Sequence, residues 1–123
     1  MAFVAAILVQ VLFAGLMIFT SETTCTPIHR GFGYRIGVLP LALLVLAPLG
    51  RRPRALIIFS AVLLGLSFLQ TTLPVLRDPS YIAAFHPVVA LLLFGLAAMT
   101  AVRARKFVPR APGAASAPPV APP

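Results

Sequence analysis

The chain has no tryptophan, a single cysteine and only two acidic residues among 123 positions. Each shortage removes a class of function. Glu22 and Asp78 sit in separate polar linkers, so no carboxylate pair exists for general acid–base work or for holding a divalent cation. Cys25 has no second cysteine to close a disulfide, and its surroundings, TSETTCTP, hold no histidine or cation to activate a thiolate. No nucleophile has an evident base and orienter, so the chain is not expected to be an enzyme. The string C-x-x-C-H is missing as well, which excludes covalent haem attachment.

What is present is apolar. Hydrophobic residues make up 60% of the chain and mean hydropathy is +1.03. A soluble domain of this size leaves too much of its area in water to hide such a composition. Four apolar runs, 3–19, 27–49, 55–73 and 80–102, each approach the ~20 residues that cross a bilayer as a helix. Helices are expected because a spanning segment must pair its own backbone groups. The fold class is therefore all-α, an integral membrane four-helix bundle over 1–106. It is followed by a Pro/Ala-rich tail, 107–123, expected to be extended or disordered.

The formal net charge of +8 is distributed as topology signals rather than as a nucleic-acid footprint. Arg51, Arg52 and Arg54 form a tight turn after the second run, and Arg103, Arg105, Lys106 and Arg110 follow the fourth. Both acids lie at the opposite ends of the helices. The positive-inside rule places both termini in the cytoplasm, in the cell membrane. The first run lacks a basic leader and an A-x-A site, so it is expected to be retained as a span.

Against this background the polar residues within the runs stand out. His29, Gly33 and Gly37 recur at four-residue spacing and share one helical face, while His86 occupies the start of the fourth run. Gln10 precedes His29 as Gln70 precedes His86, a weak internal repeat of hairpins. Counting back from the basic ends at ~1.5 Å per residue puts both imidazoles ~25–30 Å away, at similar levels towards the outer leaflet. Two readings follow. In the first, His29 and His86 are axial metal ligands to haem b or another tetrapyrrole. Gly33 and Gly37 make room for the macrocycle, Arg30 and Arg35 pair with its propionates, and Phe32, Tyr34 and Phe85 line it. In the second, Gly33 and Gly37 form a G-x-x-x-G packing surface and Gln10 and Gln70 act as helix-packing polar groups. The histidines are then structural, with His86 at a helix mouth because Pro87 disfavours helical angles before it.

The segments VQVLFAG, IHRGFGY, RRPR, FLQ and FHPVVALLLFGLA resemble the small actinobacterial four-helix membrane proteins grouped as the DUF6220 domain family. The likeness runs from about Val4 to Arg105. It implies four spanning helices with paired Gln and His positions, here Gln10, His29, Gln70 and His86, and implies no activity. The expected function is a non-catalytic accessory or structural subunit of a larger membrane assembly, partnered by the bilayer and other membrane subunits. The alternative is a haem-binding electron carrier.

Overall fold

In a computed structural model, residues 1–20, 24–76 and 81–106 are described, and all regular structure among them is helical. The linkers holding Glu22 and Asp78, Arg77, and the 107–123 tail with Arg110 lie outside the described residues. Four helices are long and apolar enough to cross a membrane: Ala2–Thr20, Cys25–Leu49, Arg54–Val75 and Ala83–Arg105. The element order is α1 (Ala2–Thr20), α2 (Cys25–Ile36), α3 (Val38–Leu49), α4 (Arg54–Thr72) and α5 (His86–Arg105).

Two boundaries differ from the sequence expectation. The second span, Cys25–Leu49, is interrupted at Gly37, which keeps helical angles (φ −61°, ψ −20°) and joins α2 to α3. Pro40 supplies the cause, since it has no N–H to give the Ile36 carbonyl and its ring crowds that oxygen. The fourth helix begins at His86 rather than near position 80, after a 3-10 turn over Ala83–Phe85. His86 nevertheless takes helical angles (φ −52°, ψ −48°) directly before Pro87. Proline at the second helical position is tolerated there because its missing N–H would have had no partner in the first turn. Cys25 is likewise the first residue of α2 rather than a linker residue.

Adjacent helices run antiparallel, α1 packing on α2, α3 on α4, and α4 on α5, with α5 closing back on α1. The inward residues recur at steps of three and four, alternating on α4 (Leu56, Ser60, Leu63, Ser67 and then Gln70) and running four, four, three on α5 (Val89, Leu93, Ala97 and Thr100). That period winds helices around one another at shallow angles. Several of these positions are small, which lets backbones approach where hydrophobic burial supplies no drive. The hydroxyls of Ser60, Ser67 and Thr100 donate to carbonyls four residues back, on Leu56, Leu63 and Leu96, so they pack as small groups without an unmet donor. Leu63 is wholly buried at the centre, among Phe3, Ile7, Leu93 and Ala97. Phe3, Ile7 and Gln10 on α1 have the same exposure classes as Leu63, Ser67 and Gln70 on α4, sixty positions on. The repeat suspected from the order of Gln and His thus extends to the packing.

The turn from α3 to α4 gathers the basic end. Arg52 N–H bonds to the Ala47 carbonyl and Arg51 N–H to that of Pro48, the paired bonds of a Schellman cap. The cap needs a left-handed residue, and Arg51 fills that place at φ 49° where glycine would be the unstrained choice. Antiparallel packing then brings Arg51, Arg52 and Arg54 to the same end as Arg103, Arg105 and Lys106.

Candidate functional site

Two hydrogen-bonded pairs occupy the other half of the bundle. Gln10 reaches from α1 to α2, where its amide Nε2 donates to the His29 carbonyl at 2.8 Å and lies 3.3 Å from His29 Nε2. Gln70 on α4 faces α5, its Nε2 lying 3.1 Å from His86 Nε2, while His86 Nδ1 donates to the Gln70 carbonyl at 3.0 Å. Each glutamine therefore pairs with the histidine of its own hairpin. The two imidazoles meet between hairpins, with ring centroids 6.4 Å apart and planes inclined at 68°. The equal depth inferred by counting residues is realised as direct proximity.

The hydrogen-bond network assigns the tautomers. A carbonyl only accepts, so His86 Nδ1 carries the proton, and the neutral ring offers Nε2 as acceptor to the Gln70 amide. At His29 the Gln10 amide is fixed by its bond to the carbonyl, so its second N–H points at an unprotonated Nε2. The pairs resemble each other and yet differ: Gln10 gives both of its N–H groups to one histidine residue, whereas Gln70 gives one and its backbone takes one back. Gln10 Oε1, Gln70 Oε1 and His29 Nδ1 are buried with no hydrogen-bond partner among the described residues. The cluster thus retains two acceptors and one donor, the kind of set that a small polar guest or a buried water completes.

The other residues singled out from sequence fall in different places. Gly33 carries the Gln10 amide: a Cβ built there would lie 2.8 Å from Nε2. Its surface is filled from within the bundle by a side chain of α1. Gly37, by contrast, marks the α2–α3 break and lines a shallow groove of about 170 Å³ with Tyr34, Ser67 and Thr71. Arg30 and Arg35 are exposed, Arg35 in the last turn of α2 where a cation suits the helix dipole. Phe32 stacks edge-on against Phe13 (5.8 Å, 77°), and Tyr34 and Phe85 are more than half exposed.

Part of this geometry suits a metal ion held between the two imidazoles, and part does not. Metal–nitrogen bonds of ~2.0 Å, with ~1.1 Å from nitrogen to ring centre, place the centroids of two imidazoles on opposite sides of one metal roughly 6.2 Å apart. The observed separation agrees, and the His86 Nδ1–H bond to a carbonyl is the support a ligating imidazole usually has. The ligating lone pairs do not agree, because each Nε2 faces a glutamine amide. No group of three or more His, Cys, Asp or Glu gathers among the described residues.

No curated protein and no solved structure matches the chain. A family profile does match, over residues 10–75, a stretch that opens on Gln10, contains His29 and Gly33, and includes Gln70. That stretch covers more than half of the sequence, and the chain belongs to DUF6220, a family of unknown function.

Proposed function

We propose that this chain is a cell-membrane protein that crosses the bilayer four times, keeps both termini in the cytoplasm, and serves as a non-catalytic accessory subunit of a larger membrane assembly. The observation that carries the reading is the pairing of each histidine Nε2 with the glutamine of its own hairpin. Polar groups in hydrocarbon are costly and need partners. Here the two Nε2 pairings tie helix to helix, with Gln10 Oε1, Gln70 Oε1 and His29 Nδ1 the buried polar atoms they do not serve, and they leave an outer surface of exposed apolar side chains such as Leu12, Phe68 and Leu91 for lipid and neighbouring subunits. The basic turn and the basic end of α5 lie together, which supports the cytoplasmic placement of the termini. The test is extraction of the full chain in mild detergent followed by native electrophoresis. The expected result is a complex of fixed stoichiometry well above the mass of one chain, and protease added outside sealed cells leaves the proline-rich tail intact. A chain that runs alone, or a tail clipped from outside, overturns the reading.

A second reading is favoured by one distance, the 6.4 Å between imidazole centres. In it, His29 and His86 would hold haem b and the protein would carry electrons. Such a group would supply one-electron chemistry. Gln10 and Gln70 would have to release both Nε2 atoms, and the hairpins would have to part to admit the macrocycle. An absorbance spectrum of the purified chain separates the two readings. A Soret band abolished by His29→Ala and by His86→Ala establishes the carrier, and a colourless chain removes it.

A further inference from the structure

The half of the bundle away from the Gln–His pairs is less tightly filled. Between α1, α3, α4 and α5 lies a cavity of about 420 Å³, within the range of small-molecule pockets. Its deep end is apolar, with Leu63 and Ala97, and the Ser60 and Thr100 hydroxyls on its wall are already bonded to their own helices. Its other end carries Arg52 from the capped turn and Arg105 from the last turn of α5. From Ala97 to Arg105 the wall of α5 runs ~12 Å at ~1.5 Å per residue. The cavity is thus a slot, apolar at its depth and cationic at its mouth. Ala97, Ala101 and Ala104 hold it open, since each presents only a methyl group to it.

We propose that this slot binds an acidic phospholipid of the surrounding leaflet, with part of one acyl chain along α5 and the phosphate at Arg52 and Arg105. Charge complementarity commits the occupant. Arg51, Arg54, Arg103 and Lys106 belong to the same end of the bundle, and no acidic residue lies on α1, α3, α4 or α5. Arg103 lies with its guanidinium 4.7 Å from the centre of the Phe59 ring, and the arginines on the lining of the slot are Arg52 and Arg105. Basic pockets between helices on the cytoplasmic side take lipid phosphates by this chemistry. The inference rests on the membrane reading above and on neither the accessory role nor haem.

The test is native mass spectrometry of the full chain, reconstituted into vesicles of equal phosphatidylglycerol and phosphatidylcholine and then extracted. One phosphatidylglycerol per chain is expected to persist, with phosphatidylcholine absent. Arg52→Gln with Arg105→Gln should reduce retention roughly thirtyfold. Ala101→Phe, which fills the slot and leaves both arginines, should abolish it. Ala104→Leu at the mouth provides the same test should the phenylalanine variant fail to fold. Equal retention of the two lipids overturns the proposal. So does retention that survives filling of the slot, or an equally strong adduct with inorganic phosphate alone. A chain that stays soluble and monodisperse without detergent would instead overturn the membrane reading itself.

Discussion

Gln10→Glu is expected to destabilise the bundle by about 2–4 kcal/mol, whereas Gln70→Glu stays within about 1 kcal/mol of the parent. The difference follows from what each amide does. Gln10 Nε2 donates to the His29 carbonyl at 2.8 Å, and no carboxylate oxygen donates unless protonated. An acid placed there sets oxygen against oxygen, and a single proton can serve either the carbonyl or His29 Nε2, never both. At the second pair the backbone bond comes from His86 Nδ1 and survives the substitution. A glutamate at position 70 then faces Nε2 alone. It completes the pair as a neutral acid donating to the ring or as a carboxylate accepting from an imidazolium. Gln10→Leu removes two cross-helix hydrogen bonds and Gln70→Leu one, so at about 0.6–1.7 kcal/mol per bond the first should cost roughly twice the second. The measurement is reversible unfolding in bicelles, followed for all four variants. Equal costs for the two glutamates, or the reverse order, would show that the hydrogen bonds are not divided as described.

The parts of this site that sequence reveals are those set by counting. Residue number along a helix converts to depth, so His29 and His86 could be placed at one level from the basic ends. What counting does not give is rotation: each residue turns the helix by about 100°, and facing depends on the neighbours. Hence the meeting of the imidazoles was visible as a level, while the capture of each Nε2 by its own hairpin's glutamine was not. Gly33 and Gly37 look equivalent in a G-x-x-x-G string, yet one seats an amide and the other marks a break. The break stems from Pro40, three residues on, hidden inside a run whose hydropathy reads as one helix. Ser60 and Ser67 both line the packed seam, yet a serine bonded to a carbonyl of its own helix carries no signal of direction in sequence. The lipid slot was the least legible feature. It arises from alanines on α5 opposed to α3 across the bundle, and no local pattern announces an opposition between distant segments.

Gly33→Ala should be the most costly of the glycine-to-alanine changes, by about 1–3 kcal/mol. A Cβ at that position lies 2.8 Å from Gln10 Nε2 and 3.6 Å from its Cδ. Real Cβ atoms do not approach that closely, so the amide must move. As the far end of a flexible side chain it can swing away, but it then gives up both its bonds to His29. The cost is therefore loss of the clasp rather than collision of backbones. Gly65 and Gly95 provide the contrast: nothing lies within 4 Å of a Cβ at either, so alanine there should be neutral or stabilise by up to about 1 kcal/mol through helix propensity. A double-mutant cycle isolates the cause. In a Gln10→Ala background no amide remains to be displaced, and Gly33→Ala should then behave like Gly65→Ala. If Gly33→Ala is as damaging without Gln10 as with it, the glycine serves some other contact and the seat assigned to the amide is wrong.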